Sequence, residues 1–237
     1  MTELFYKKVN SNELNILLQM KNWKEKHLFL PLVSFDNESK KMGIRRMACD
    51  VQKICKSKKW NNNVEKKCIL KICQVLEALR KHYVLHQDVH LKNIVCNKSL
   101  TRFYLIDYDV SVRRPFSVMN LYEKKSFLFR EDQFQLFWNF VFGHNEFIND
   151  FTEFRKTIRK LSLKKQNKLK EKCKIFFMKD YVNEYWTLFI SKKPIILKEK
   201  GDQIVFKIFL MRLYLLYSIY ISEPNPFYQD MICQVQW

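Results

Sequence analysis

Glycine is scarce in this sequence. Of the 237 residues only three are glycine, namely Gly43, Gly143 and Gly201. Phosphate-binding loops of the G-x-G-x-x-G and G-x-x-x-x-G-K-S/T types need closely spaced glycines, because the backbone itself must approach the phosphates. Both patterns are absent, which excludes a dinucleotide-binding Rossmann domain and a P-loop NTPase.

Paired cysteines are also missing. The seven cysteines include no C-x-x-C pair, and their number is odd. No histidines stand beside them at zinc-ligand spacing, so a zinc site is not expected. The first ten residues contain no apolar stretch of signal-peptide length. Reduced thiols and a cytoplasmic location are therefore expected.

A long apolar run without charge is missing too. The most apolar segment, residues 204–221, contains Lys207 and Arg212. Charged side chains are costly inside a bilayer, so a buried helix is favoured over a membrane-spanning helix. No integral membrane segment is expected.

Positive charge, by contrast, is in large excess. The chain has 43 Lys and Arg against 24 Asp and Glu, a net charge of +19. Such an excess attracts anionic partners, for example nucleic acids, nucleotides or acidic proteins. The densest basic stretch, Arg155 to Lys174, is predicted to be a helix. A solvated lysine-rich surface is the favoured interpretation, and an anionic partner is the alternative.

The hydrophobic pattern predicts a β-containing first part and a mainly helical second part. Strands are predicted at residues 3–9, 27–35 and 42–48. The helix after the first strand has Ser11 as its predicted N-cap. Further helices are predicted just after Cys49 and over five later segments, and an irregular tail begins at Pro224. The five helical segments are residues 65–83, 132–142, 149–161, 166–190 and 204–222.

Residues 83–112 carry the pattern with the clearest chemistry. Two short apolar runs, residues 94–95 and 103–106, flank a polar turn and predict a β-hairpin. This hairpin would bring three polar side chains together: Asp88, Asn93 and Asp107. An acid that takes a proton from a hydroxyl, beside an amide and an acid that hold Mg²⁺, is suited to phosphoryl transfer.

The same stretch resembles the catalytic core of the protein-kinase-like superfamily. The family pattern is H-x-D-x-x-x-x-N, then a hairpin, then two apolar residues and D-F/Y/W. This chain matches it with His86, Asp88, Asn93 and the run Leu105-Ile106-Asp107-Tyr108. The resemblance implies an α+β, bilobal, kinase-like fold formed by residues 1–237 as a single domain. Residues 1–49 would form a truncated N-lobe that contains β-strands. Residues 50–237 would form a larger, mainly helical C-lobe with the catalytic hairpin at residues 86–109.

The resemblance also implies cofactors and residue roles. ATP and Mg²⁺ are the implied cofactors. Asp88 would be the catalytic base, and Asn93 and Asp107 would be the metal ligands. Asp132 stands where the family has a helix acid that braces the catalytic loop through backbone amides.

Nucleotide contacts are implied in the first part of the chain. The family pairs a lysine on an early strand with a helix glutamate, and Lys7 or Lys8 followed by Glu13 matches this arrangement. Only one of the two lysines can face the cleft, because side chains alternate along a strand, and Lys7 is preferred. Met47 and Cys49 lie where the adenine-binding hinge is expected.

Two positions depart from the protein-kinase pattern. His90 stands where serine/threonine kinases have a lysine, as in aminoglycoside and sugar kinases, and Lys92 is the candidate for the missing charge. Asp109 replaces a glycine, as in lipopolysaccharide-core sugar kinases such as Kdo kinase. The segment between Asp107 and Asp132 is short and contains no A-P-E motif. Compact kinases of the RIO, viral and effector types are similar in this respect.

We therefore expect an ATP- and Mg²⁺-dependent minimal serine/threonine protein kinase with a protein substrate. Two alternatives are left open. One is a kinase of the Kdo or aminoglycoside type that phosphorylates a sugar or another small molecule. The other is an inactive kinase mimic that binds a partner, since no glycine loop is present. The expected cytoplasmic location would be the cytoplasm of a host cell if the protein is viral or an effector.

Overall fold

The structure is a computed structural model, and it describes residues 4–36, 38–143, 151–177, 179–191 and 195–235. The chain divides into two units. Unit 1 comprises Met1–Met119 and Glu131–His144, and unit 2 comprises Asn120–Arg130 and Asn145–Trp237. Helices and small sheets are both present, which confirms the predicted α+β class. The lobe boundary predicted at residue 49 stays a prediction, and it differs from the division into these units.

Unit 1 begins with a three-stranded antiparallel sheet. Its strands are β1 (Leu4–Lys8), β2 (Leu32–Asp36) and β3 (Lys41–Arg45), in the order β1-β3-β2. The strand predicted from residue 27 starts later, because Pro31 has no N–H to donate. A Cβ at Gly43 would clash with Ser34 Oγ and would lie 3.0 Å from the Tyr6 ring. This glycine therefore serves strand packing.

Helix α1 (Ser11–Met20) follows β1. Its N-cap is Asn10, whose side chain accepts a hydrogen bond from Glu13 N, so the prediction of Ser11 as the cap was wrong by one residue. Asparagine and serine are both good caps, and the register was decided by the backbone, which is extended at Asn10 and helical from Ser11 onward. Ile16 and Met20 pack into the core of unit 1.

The predicted β-hairpin is confirmed. Strand β4 (Cys49–Asp50) pairs with β6 (Ile94–Cys96), which pairs with β7 (Phe103–Leu105), in the order β4-β6-β7. Asn97 closes the β6–β7 turn, because its Oδ1 accepts from the backbone N–H of Thr101 and Arg102. Two further short strands, β5 (Val84–Leu85) and β8 (Val112–Arg113), pair with each other.

Helices account for most of the remaining chain. In unit 1, α2 (Val51–Ile54) is short and α3 (Asn62–Lys81) is long, and α3 confirms the helix predicted over residues 65–83. The later helices are α4 (Leu121–Leu128) in unit 2, α5 (Glu131–Phe142) in unit 1, and then, in unit 2, α6 (Thr152–Lys160), α7 (Leu163–Phe176), α8 (Lys179–Ile190), α9 (Lys200–Tyr217) and α10 (Pro226–Gln234).

Three predictions for the second half of the chain need correction. The single helix predicted over residues 166–190 is two helices, because Phe177 is extended and packs its ring against Phe129 and Phe209. The predicted irregular tail contains α10, which Asn225 caps and Pro226 starts, as proline favours the first turn. The helix predicted over residues 149–161 is observed from Thr152, and residues 149–150 lie outside the described part.

The basic stretch from Arg155 to Lys174 is also two helices, α6 and α7. Arg155 donates to the carbonyl oxygens of Phe189 and Ser191, at 2.7 and 2.6 Å, and Arg159 donates to that of Ile190 at 3.0 Å. These carbonyls belong to the C-terminal end of α8, where positive charge is favourable. Both arginines therefore have a structural role within unit 2.

One helical segment, Lys200–Ser222, is long and apolar enough to cross a membrane, and 67% of its most apolar window is buried. Val205, Leu213 and Leu216 on this segment are fully buried within unit 2. This burial agrees with the predicted core helix, and the absence of a membrane segment stays a prediction.

Candidate active site

The site is built around Lys7 on β1. Its Nζ lies 2.6 Å from Asp107 Oδ1 and 3.0 Å from Glu13 Oε1. Lys7, the lysine preferred from the sequence, makes the contact with Glu13, and its role toward a nucleotide stays a prediction. Lys8 is exposed, since neighbouring side chains on a strand point to opposite faces.

Burial and charge act together on this trio. Glu13 is 1% exposed and Lys7 is 25% exposed. Burial alone would lower the pKa of Lys7, but its hydrogen bonds to Asp107 and Glu13 outweigh burial and raise that pKa. Burial raises the pKa of Glu13, and Lys7 and the Tyr108 backbone N–H offset part of the rise. Lys7 therefore stays cationic between two acids.

A set of contacts ties the start of α1 to the segment that follows Asp107. Glu13 Oε1 accepts from Tyr108 N at 3.2 Å, and Asn12 Nδ2 donates to Ser111 O at 2.7 Å. Asp107 itself has a φ of 69°, in the left-handed region that non-glycine residues rarely adopt. Such strained residues recur at active sites, and here the contact with Lys7 helps to hold Asp107.

His86 packs beneath the loop that carries Asp88. It is fully buried, its Nδ1 accepts from Asp88 N at 3.3 Å, and its Nε2 lies 3.0 Å from Ile106 O. Because Nδ1 accepts, the proton must be on Nε2, which donates to the carbonyl. Burial lowers the pKa of His86, in agreement with this neutral form.

One face of α5 holds this loop by its backbone. Asp132 accepts from the N–H groups of His86 and Gln87, at 2.8 and 2.9 Å, as the resemblance implied. Gln135 Oε1 accepts from Val89 N, and Asn139 Nδ2 donates to Val89 O. Gln135 and Asn139 were missed from the sequence. Their spacing of three and seven residues from Asp132 places all three on one helical face, and that was the available signal.

Asp88 and Asn93 are direct neighbours. Asn93 Nδ2 donates to Asp88 Oδ2 at 2.9 Å and to Asp88 O at 3.1 Å. The backbone N–H of Asn93 donates to His90 Nδ1, so His90 carries its proton on Nε2, which lies 3.3 Å from Asp88 Oδ2. Two donors therefore face the same carboxylate oxygen of Asp88.

A cavity of about 430 Å³ lies beside these groups in unit 1. This size falls in the range of about 300–1,000 Å³ that is usual for ligand pockets. Its wall includes six predicted site residues: Lys7, Glu13, Met47, Cys49, Lys92 and Asp107. Apolar side chains such as Leu17, Met42, Ile44, Val95 and Leu105 form much of the rest. The wall thus offers apolar surface for a base and charged groups for phosphates.

The remaining predicted residues are placed as follows. Lys92 is exposed and lines the cavity. Asp88 and Asn93 are not lining residues, but the backbone N–H of Ile106 donates to Asn93 O at 2.8 Å, which places Asn93 next to the Asp107 segment. The structure therefore brings all the predicted site residues to this cavity or to the loop beside it.

The residues present fit a magnesium ion that takes one or two ligands from the protein and the others from phosphates and water. Within the described residues, no group of three or more His, Cys, Asp and Glu side chains could hold a metal. Asn93 uses its amide nitrogen for Asp88, which leaves its carbonyl oxygen, and among the described residues Asp107 is bonded through Oδ1 and not Oδ2. Mg²⁺ commonly takes one or two protein oxygens and completes its shell with phosphates and water.

A second cavity of about 520 Å³ shares the wall formed by residues 45–48. The charged residues that line it are all cationic: Arg45, Arg46, Lys98 and Arg102. Positive charge is thus concentrated on this part of unit 1, next to the candidate active site.

No protein-family model matches the chain, and no curated protein matches its sequence. Among solved structures, the chain is similar to the kinase PK-1 of Cydia pomonella granulovirus, with a TM-score of 0.41 and 16% sequence identity. The similarity covers 87% of this chain and 84% of that chain. At this identity and TM-score, the similarity does not identify an activity.

Proposed function

We propose that this protein is an ATP- and Mg²⁺-dependent phosphotransferase of the kinase type. The observation that carries the proposal is the meeting of Lys7, Glu13 and Asp107 at one cavity, beside the bonded pair Asp88 and Asn93. Phosphoryl transfer needs a cation for the phosphates, oxygen ligands for a metal and a base for the acceptor hydroxyl. The site provides each of these groups.

Asp88 is the group that takes the proton from the acceptor hydroxyl. Asn93 and His90 both face its Oδ2, so this oxygen is held in place and Oδ1 is left for the acceptor. The Asp88 side chain is 42% exposed, which allows an acceptor to reach it. A well-placed general base contributes about 10²–10⁴-fold to a rate.

Lys7, Asn93 and Asp107 hold the phosphates and the metal. Bound Mg²⁺ would neutralise phosphate charge and orient the transferred group. Lys7 donates to the phosphates from β1, and the buried Glu13 keeps its ammonium group in place. Residues 47–49 lie in the cavity wall, where the resemblance implies backbone contacts to the base, although Ala48 N already donates to Cys96 O.

A serine or threonine hydroxyl of a protein is the proposed acceptor, and a sugar or other small-molecule hydroxyl is the second candidate. His90 favours the second, because it holds Asp88 where a protein kinase would present a lysine to the phosphate. Lys92, exposed in the cavity wall, can supply that cation in either case. The presence of the base and both metal ligands favours catalysis over an inactive mimic.

The net charge of +19 and the basic cavity beside the site support an anionic partner. The cytoplasmic location is proposed from the cysteine pattern of the sequence, which has an odd number of cysteines and no C-x-x-C pair.

An ATP-labelling assay tests the proposal. The wild-type chain and Asp107→Asn are incubated with Mg²⁺ and γ-labelled ATP, with protein acceptors in one series and sugar acceptors in another. Wild type should label one acceptor class, and Asp107→Asn should not. Nucleotide binding is measured in parallel: at 100 times the Kd, it should stabilise the fold by about 2.7 kcal/mol. Binding without labelling would identify an inactive mimic. The absence of both binding and labelling would refute the proposal.

A further inference from the structure

Cys49 and Cys96 lie directly opposite each other on neighbouring strands. Their Cα atoms are register partners in the antiparallel pair of β4 and β6, and their sulfur atoms are 3.6 Å apart. A backbone hydrogen bond from Ala48 N to Cys96 O, 2.9 Å long, holds the strands together at this point. Directly opposite residues point to the same face of a sheet, so the strand pairing itself places the two thiols side by side.

The two thiols differ in accessibility. Cys49 is half-buried and belongs to the wall of the 430 Å³ cavity, whereas Cys96 is fully buried. Burial, together with the neighbouring Cys49, raises the pKa of the Cys96 thiol to about 12. A dissolved oxidant therefore reaches Cys49 first, and Cys96 is positioned behind it as a second thiol.

The spacing of this pair fits a disulfide. Opposite Cα atoms in antiparallel strands are about 4.5–5.5 Å apart, which lies within the usual Cα separation of about 4.4–6.8 Å for disulfides. The sulfur atoms must approach by about 1.5 Å to reach bonding distance. Rotation of the two side chains can provide this movement without separating the strands.

We infer that Cys49 and Cys96 form an oxidation site, in which a peroxide converts the two thiols to a disulfide that ties β4 to β6 in the cavity wall. Peroxide first oxidises Cys49 to a sulfenic acid, and one water is released. Cys96 Sγ then attacks Cys49 Sγ. The S–S bond forms as the S–O bond breaks, and the hydroxide leaves with the Cys96 proton as a second water.

The bond would enclose a functionally important part of the chain. The closed loop from Cys49 to Cys96 contains α2, α3, β5 and the loop with Asp88 and Asn93. A crosslink across so long a loop restricts the unfolded chain, so the oxidised protein should unfold at a higher denaturant concentration than the reduced protein. Thiol reductant should reverse this shift.

The test uses the full chain under native conditions. It is treated with hydrogen peroxide, unfolded, alkylated and measured by mass spectrometry, with peptide mapping under non-reducing conditions. Five of the seven cysteines should be alkylated, since two are consumed, and a linked peptide should join Cys49 to Cys96. Cys96→Ser should stop at the sulfenic acid of Cys49 or pass to the sulfinic acid. Cys55→Ser, which removes another half-buried thiol of unit 1, should give the wild-type yield.

Three results would overturn the inference, and each can be seen in the wild-type chain without any variant. The first is alkylation of all seven cysteines after peroxide treatment. The second is a bond from Cys96 to Cys68, the buried α3 cysteine that also interacts with it. The third is a sulfinic acid on Cys49 with Cys96 still alkylated.

Discussion

The ion pair between Lys7 and Glu13 can be measured by a double-mutant cycle. In Lys7→Met, the Glu13 carboxylate is 1% exposed and keeps the Tyr108 N–H as its remaining hydrogen-bond donor. Breaking a buried ion pair by removing one partner costs about 3–5 kcal/mol of unfolding free energy. Lys7 is itself 25% exposed, so we expect the lower value, about 3 kcal/mol.

Replacing the other partner of the ion pair, in Glu13→Gln, should cost less unfolding free energy. Glu13→Gln keeps an oxygen that accepts from Tyr108 N, and Lys7 keeps its contact with Asp107 at 2.6 Å. We expect a loss of about 1 kcal/mol, because the same oxygen accepts from Lys7 and only the ionic part of that contact is lost. The double variant buries no unpaired charge, so its loss should be about 2 kcal/mol and not the sum of the two single losses, about 4 kcal/mol. The resulting coupling of about 2 kcal/mol lies in the usual range for contacting residues.

Urea unfolding of the four proteins near neutral pH measures this coupling. Lys8→Met is the control, because Lys8 is the adjacent strand residue on the exposed face, and its effect should stay within about 0.5 kcal/mol. Additive single effects, or an equal loss in Lys8→Met, would refute the reasoning. The Lys7→Met loss should also shrink as pH falls, because protonation of Glu13, whose pKa burial already raises, removes the unpaired charge.

Three further outcomes are expected. Asp132→Ala leaves the backbone N–H groups of His86 and Gln87 without their carboxylate acceptor. It should lower the unfolding free energy by about 2–6 kcal/mol, measured by urea titration. Asp132→Asn should cause a smaller loss. Because burial lowers the pKa of His86, the unfolded chain binds more protons than the folded chain below about pH 6.5. Stability should therefore fall as the pH drops below that value. His86→Asn should flatten this pH dependence when unfolding is measured over a series of pH values. His90→Ala removes the donor that faces Asp88 and the acceptor of the Asn93 N–H, so it should lower kcat about tenfold with an unchanged nucleotide Kd. His90→Gln carries both a donor and an acceptor and should recover part of the loss. An unchanged kcat would show that His90 does not position Asp88.

The sequence predicted the local geometry of the site well, because that geometry depends on short-range rules. The hairpin between Asn93 and Asp107 follows from two apolar runs around a polar turn, and strand alternation implies that only one of Lys7 and Lys8 can face the cavity. These rules act over a few residues and do not depend on the rest of the fold.

Features that depend on distant packing could not be predicted in the same way. The break between α7 and α8 exists because Phe177 packs against rings far along the chain, and no local helix breaker marks it. Gln135 and Asn139 bind the backbone of Val89, and this needs α5 to lie against that loop. In contrast, α10 was predictable, since Asn225 and Pro226 are a good N-cap and first-turn residue.

The rate of phosphoryl transfer by Asp88→Asn tests the proposed function most directly. The amide oxygen of asparagine can still accept from Asn93 and His90, so the loop should keep its structure while the base is lost. At saturating Mg²⁺ and ATP, we predict a kcat about 10²–10⁴-fold below that of wild type, with nucleotide affinity unchanged. Equal transfer by the two proteins, or ATP binding by wild type without any transfer, would contradict the account.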